Sequence, residues 1–126
     1  MNAPGESPFK GKTGLRRVVN ALHYSLSGLR AAYTCEDAFR QEALLALMLI
    51  PLALYLPVGG LGRALMIASV LLVLIIELIN SAVEATVDRI SLENHRLAKR
   101  AKDIGSAAVL IALVNVLVVW VCVLWG

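Results

Sequence analysis

The sequence has little cysteine, and it lacks a secretory signal, an internal repeat and an intact phosphate-binding loop. Cys35 and Cys122 do not have the spacing of metal ligands. The first 30 residues are basic and interrupted, with no apolar core or cleavage site, so we expect no signal peptide. In the segment GESPFKGKT, Gly5 and Gly11 enclose five residues where a P-loop needs four. We therefore expect nucleotide chemistry of the P-loop type to be absent.

Charge is missing from long parts of the chain, which indicates an integral membrane protein. Apolar residues make up 59% of the 126 residues, and the mean hydropathy is +0.76. The apolar stretches are 43–56, 64–76 and 104–126. The last has no charged residue, and the other two must extend into polar flanks to reach the roughly 20 residues that a span needs. The predicted spans are about 38–57, 62–88 and 103–125, within a single domain over 15–126.

The N-terminal part divides into a tail and a helix. Residues 1–14 are rich in proline and glycine, and we expect a disordered tail. Over 15–33, apolar side chains recur at helical spacing: Leu15, Val18, Val19, Leu22, Leu26, Leu29 and Tyr33. This pattern predicts an amphipathic helix at the cytosolic membrane surface, and a helix packed on its neighbours fits it equally well.

Lysine and arginine are distributed unevenly between the predicted loops. Six of the twelve precede or begin the first span, five lie between the second and third, and only Arg63 lies between the first and second. The positive-inside rule then places the N-terminus and 89–102 in the cytosol and the C-terminus in the periplasm. Cys35 and Cys122 would lie on opposite sides, so we expect no disulfide. The net charge of +3 suits an anionic inner leaflet better than nucleic acid.

The second span carries a polar stripe formed by Glu77, Asn80, Glu84 and Asp88. At about 100° per residue these four positions fall within an arc of roughly 80°. Charged side chains are costly in a bilayer, so such a cluster indicates function. Three helices bury little of one another, and we therefore expect a homo-oligomer of cyclic symmetry to cover the stripe. The residues leave the number of subunits open.

The stripe allows more than one chemistry. Glu84 and Asp88 are expected near the cytosolic surface, together with Glu36, and carboxylates beside a lysine such as Lys102 suit Mg²⁺ and a nucleoside triphosphate. Glu77 lies about 10 Å deeper along the helix, where it could accept a proton from a lipid hydroxyl. Interhelical hydrogen bonding and a proton-coupled transport site are alternatives that the same residues fit.

The block ELINSAVEATVDRI, followed by ENH and AKDIGSAAVL, resembles the small prokaryotic diacylglycerol kinases. The upstream segments GLRAAY and EDAFRQE resemble the same family, and the resemblance covers about residues 15–125. It implies an all-α membrane protein, a homotrimer of three-span subunits with N-terminal surface helices and shared active sites. It also implies transfer of the γ-phosphate of MgATP to a membrane lipid.

The resemblance also implies roles for individual residues. Glu77 matches the catalytic base, and Glu36 and Glu84 match the metal ligands. Positions that hold the nucleotide are matched by Arg17, Tyr24, Glu36, Glu84, Glu93, Asn94, His95, Lys102 and Asp103. Positions at the lipid site are matched by Arg17, Ala38, Phe39, Arg40, Gln41, Glu42, Glu77, Asn80 and Ser106. Asn20 departs from the basic residue of the best-known members.

We therefore predict an ATP-dependent diacylglycerol kinase of the bacterial inner membrane, with Mg²⁺ as cofactor and phosphatidic acid as product. Undecaprenol kinase, which shares the scaffold, is the close alternative for the acceptor. A small oligomeric proton-coupled transporter is the alternative from another class, and it would have no use for a nucleotide site.

Overall fold

Four α-helices make up the computed structural model, which describes residues 14–90 and 96–126. They are α1 (Leu15–Cys35), α2 (Asp37–Tyr55), α3 (Gly60–Ile90) and α4 (Arg96–Trp125). Over these ranges the chain has no β-strand. Helices α2, α3 and α4 are long and apolar enough to cross a membrane. The predicted all-α fold with three membrane-length helices is confirmed, while residues 1–13 of the predicted tail lie outside the described part.

The joint between α1 and α2 is a single extended residue, Glu36 (φ −119°, ψ 112°). The guanidinium of Arg40 donates hydrogen bonds to the carbonyls of Tyr33 (2.7 Å) and Thr34 (3.0 Å), and it forms an ion pair with Asp37. Carbonyls at a helix C-terminus have no partner within the helix and carry partial negative charge. Arg40 therefore caps α1 from the first turn of α2 and fixes the angle between the two helices.

Arg63 stabilises the turn between α2 and α3 through two hydrogen bonds. Its Nε donates to the carbonyl of Ala53 (3.1 Å) and its Nη2 to that of Leu56 (3.0 Å), both at the C-terminal end of α2. The only cation between the first two predicted spans is therefore a helix cap.

At the other end of the bundle, α4 begins at Arg96 rather than near the predicted span start at 103, so the polar segment 96–102 is already helical.

Helix α3 lies between α2 and α4 and supplies most of the core. Met66, Val70 and Val73 of α3 are buried, as are the small residues Ala53 of α2 and Ala112 of α4, the two helices that pack against α3. Small residues let helix backbones approach closely, which is the usual basis of packing between membrane helices. The polar stripe of α3 therefore begins in a tightly packed interior.

Burial of the two deeper residues of that stripe does not require a second subunit. The side chains of Glu77 and Asn80 are 5% and 8% exposed within the single chain. The expectation that three helices would leave them uncovered is wrong, because α2 and α4 close over opposite flanks of α3.

A candidate active site of clustered carboxylates

The polar stripe changes in exposure along α3. Glu77 and Asn80 are buried, Glu84 is half-buried, and Asp88, one turn further on, is exposed. The stripe contacts both neighbouring helices, since Glu77 meets α2 while Asp88 meets α4. It therefore leads from the interior of the bundle to its surface near the C-terminal end of α3.

Glu77 meets Glu42, a half-buried residue of α2. The two carboxyl groups are within hydrogen-bonding range, and the remaining oxygen of Glu42, Oε2, is buried with no partner among the described residues. An ionised carboxylate only accepts hydrogen bonds, so this bond requires a proton on one of the pair. Glu84 and Glu36 lie near enough to repel the charge of Glu77. The carboxyl groups of Glu36, Glu42, Glu77 and Glu84 are therefore gathered at one place in the bundle.

Asn80 connects the next carboxylate to α4. Its amide nitrogen Nδ2 donates to Oε1 of Glu84 (3.2 Å), and its oxygen Oδ1 is buried without a hydrogen-bond partner in the part of the chain that the structure describes. That oxygen points at Gly105 of α4. The contact depends on how α3 and α4 cross, and no sequence signal identifies it.

Ion pairs occupy the lysines near the start of α4. Lys102 Nζ lies 2.5 Å from Asp88 Oδ1, and Lys99 Nζ lies 2.7 Å from Asp103 Oδ2. The first pair joins α3 to α4, and the second lies within α4 at i,i+4 spacing. Both pairs are well exposed, and such pairs contribute little to stability. Lys102 and Asp103, the predicted nucleotide-binding residues, can therefore exchange these partners for a ligand at little cost.

The remaining predicted site residues are distributed over several surfaces. Glu36 lies with Ser81 in a cleft of about 720 Å³ between α1 and α3. Phe39 is buried, and Arg40 is engaged in capping α1. Exposed positions are Arg17, Tyr24, Ala38, Gln41 and Ser106. Glu93, Asn94 and His95 lie outside the described residues.

An apolar groove reaches the carboxylates from the side of the bundle. It has a volume of about 410 Å³, lies between α2, α3 and α4, and begins at Glu42. Leucine and valine side chains form most of its lining. Trp120 closes part of it and donates a hydrogen bond from Nε1 to the carbonyl of Met66 (3.3 Å). Glu42 therefore stands between the buried carboxylate cluster and an apolar passage.

The donor set of the cluster suits magnesium. Across 14–90 and 96–126, no three His, Cys, Asp or Glu side chains are grouped as a complete metal site. Mg²⁺ typically takes one or two protein carboxylates and completes its coordination with water and substrate phosphates. Glu36 and Glu84 both lie near Glu77, and their oxygens are the hard ligands that Mg²⁺ prefers. The residues present therefore fit a magnesium ion that arrives with a nucleotide.

Three membrane-length helices around a stripe of carboxylates define a multi-pass membrane protein with an intramembrane polar site. The model of the prokaryotic diacylglycerol kinase family matches residues 23–124, and the chain belongs to that family. It is therefore a kinase, and the family resemblance predicted from the sequence is confirmed.

Relatives in several bacteria match nearly the whole chain. The diacylglycerol kinase of Pseudomonas aeruginosa strain PAO1 is 58% identical over 120 residues, covering 95% of this chain and 98% of the relative. That of Escherichia coli K12 is 50% identical over 114 residues, with 90% and 93% covered. That of Haemophilus influenzae is 54% identical over 108 residues, with 86% and 92% covered. The similarity therefore extends over all four helices.

Proposed function

We propose that the protein transfers the γ-phosphate of ATP to the hydroxyl of diacylglycerol and so forms phosphatidic acid in the bacterial inner membrane. The observation that carries this proposal is the buried Glu77, which adjoins Glu42 at the end of an apolar groove and lies near Glu36 and Glu84. A lipid acceptor suits the apolar side of the cluster, and a nucleotide suits its open end. The names of the relatives supply the acceptor.

Glu77 is the general base of this proposal. In this proposal Glu42 carries a proton and donates a hydrogen bond to the ionised carboxylate of Glu77, which lies beside it. Glu77 takes the proton of the lipid hydroxyl while the hydroxyl oxygen attacks the γ-phosphorus. The bond from that phosphorus to the β,γ-bridging oxygen breaks, and ADP leaves. Most of the rate enhancement comes from holding the two substrates in line.

The nucleotide would be held at the exposed end of the stripe. Glu36 and Glu84 would hold Mg²⁺, which when bound offsets negative charge on the phosphate oxygens. Lys102 would leave Asp88 for a phosphate oxygen, since the two are joined only by an exposed ion pair. Further contacts to the nucleotide are assigned to Arg17, Tyr24, Glu93, Asn94, His95 and Asp103. Contacts to the lipid are assigned to Arg17, Ala38, Phe39, Arg40, Gln41, Glu42, Glu77, Asn80 and Ser106.

The proposed assembly is a homotrimer with cytosolic N-termini and periplasmic C-termini. The distribution of lysine and arginine supports the orientation. Five cations lie at the end of the bundle where α3 ends and α4 begins, and only Arg63 lies near the turn at the opposite end, in the first turn of α3. The family resemblance supports the number of subunits. ATP would then reach the site from the cytosol while the lipid diffuses in laterally.

Radiolabel transfer tests the proposal. The purified oligomer is incubated in mixed micelles with [γ-³²P]ATP, Mg²⁺ and either diacylglycerol or undecaprenol, with the Glu77→Gln protein as control. Label in phosphatidic acid from the unchanged protein alone is the expected result. Label only in the polyprenyl phosphate would assign undecaprenol as the acceptor. No label in either lipid, from a folded oligomer, would refute the proposed activity and favour the transporter.

A further inference from the structure

Gly105 is the point at which α4 comes closest to the polar stripe of α3. A Cβ built on Gly105 would lie 2.1 Å from Oδ1 of Asn80 and 3.2 Å from its Cγ. No real Cβ tolerates the first distance. The backbone of Gly105 does not have a positive φ angle, so an alanine would be acceptable to the helix itself. Glycine is therefore required at this position for space and not for backbone conformation.

The space at Gly105 determines how Asn80 is oriented. Glu84 accepts the hydrogen bond from Asn80 at 3.2 Å, and an ionised carboxylate cannot donate, so the amide nitrogen must face Glu84. The amide oxygen then necessarily points the other way, toward α4. Only a residue without a side chain leaves room for that oxygen, which lies against the Cα of Gly105. The hydrogen bond to Glu84 thus depends on a contact made by another helix.

We propose that Gly105 is a positioning residue for the metal ligand Glu84 and that it acts through Asn80. This inference rests on the proposed function, in which Glu84 holds Mg²⁺ together with the nucleotide. An outer residue that hydrogen-bonds a ligand orients it, and loss of such a residue typically weakens metal affinity about 10–100-fold. In Gly105→Ala the added methyl displaces the Asn80 amide, and Glu84 loses its partner.

The fold should survive this substitution. The atoms that the new Cβ would meet belong to the end of the Asn80 side chain, and the backbones of α3 and α4 are not among them. Rotating one side chain is easier than separating two packed helices. The matched control is Gly62→Ala, because a Cβ on Gly62 would lie 2.8 Å from Cγ1 of Val123 at the other end of the same helix pair.

The test measures metal binding directly. Full-length protein in detergent micelles is titrated with Mn²⁺ in the presence of a non-hydrolysable ATP analogue, and unbound Mn²⁺ is measured by electron paramagnetic resonance. We expect Gly105→Ala to weaken Mn²⁺ binding about tenfold, and Gly62→Ala to leave it unchanged. On an Asn80→Ala background, Gly105→Ala should have no further effect, since the group that it displaces is already absent.

Several outcomes would overturn the inference. Unchanged Mn²⁺ binding in Gly105→Ala, with a large loss in Glu84→Gln, would refute the positioning role and leave the proposed function intact. Unchanged binding in Glu84→Gln would refute the assigned metal ligand itself. An equal loss in Gly62→Ala would trace the effect to general helix packing. If Gly105→Ala does not fold, recovery of folding in the double variant Asn80→Ala/Gly105→Ala supports the contact, and failure of both refutes it.

Discussion

Replacement of Glu77 by glutamine should separate catalysis from stability. Glutamine has nearly the same shape, so the packing between α2 and α3 is retained. Its amide can still donate a hydrogen bond to Glu42, the neighbour that contacts Glu77 now. The substitution removes only the capacity to accept a proton and the negative charge. The side chain is 5% exposed, so bulk water cannot readily take over as the base.

Turnover and stability should respond differently to this substitution. Loss of a general base typically lowers turnover about 10²–10⁴-fold, which corresponds to roughly 3–5.5 kcal/mol in the barrier. The charge of Glu77 is repelled by Glu84 and Glu36, and its burial is unfavourable. Glutamine keeps the shape of the side chain and carries no charge, so the free energy of unfolding should not fall. If Glu77 served only to join helices, its replacement would lower the stability of the protein, its activity or both, and would raise neither.

Three measurements on the same preparation examine this. Initial rates of label transfer give turnover, equilibrium binding gives the affinity for MgATP, and titration with sodium dodecyl sulfate in mixed micelles gives stability. We expect turnover to be lost, nucleotide affinity to be kept and stability to be equal or higher. Glu42→Gln is the control, because its amide still donates to Glu77 and the base remains. A Glu77→Gln protein that is less stable yet within tenfold of normal turnover would disprove the base assignment.

Further predictions concern the helix cap, the ion pair and the topology. Arg63→Met removes two hydrogen bonds from a charged donor and should lower the free energy of unfolding by about 2–4 kcal/mol. Turnover per folded oligomer should be unchanged. A decrease of less than about 1 kcal/mol in the dodecyl sulfate titration would contradict the capping role of Arg63. Asp88→Asn releases Lys102 and should lower the ATP concentration for half-maximal rate, whereas an increase would argue that Asp88 itself supports the nucleotide. Cys35 is exposed, and in a Cys122→Ser background it is the one cysteine left to label. It should react with a membrane-impermeant maleimide in inverted vesicles but not in intact cells. Labelling of this variant in intact cells would contradict the proposed orientation.

The helices could be predicted because their signals are local. The apolar stretches and the periodicity over 15–33 depend on neighbouring residues alone, and they identify four helical segments. The start of α4 could not be found this way, because hydropathy reports where a membrane span begins and not where a helix begins. Segment 96–102 is polar, yet it is helical, with Lys99 and Asp103 paired at i,i+4 spacing.

The site was predictable only in part, for a related reason. Helical periodicity places Glu77, Asn80 and Glu84 on one face of α3, but it does not state which helix covers each of them. Glu42 was assigned by family resemblance, and its contact with Glu77 depends on how α2 packs against α3. Gly105 was missed because its importance lies in the position of an oxygen on another helix. Long-range packing therefore determines the contacts of the site.

The burial of Glu77 and Asn80 within one chain changes the reason for expecting an oligomer. Arg17 and Glu36 are both proposed to hold the nucleotide. Arg17 lies in the first turn of α1, whereas Glu36 follows its last residue, Cys35, about 27 Å further along the helix axis. A single chain therefore cannot bring Arg17 to the carboxylate cluster that Glu36 adjoins while α1 stays helical. The proposed base and the carboxylates near it lie within one subunit, and the proposed surface helix of another would have to supply the arginine. The need for a partner thus arises from the composition of the nucleotide site, and not from the cost of exposing the polar stripe to lipid.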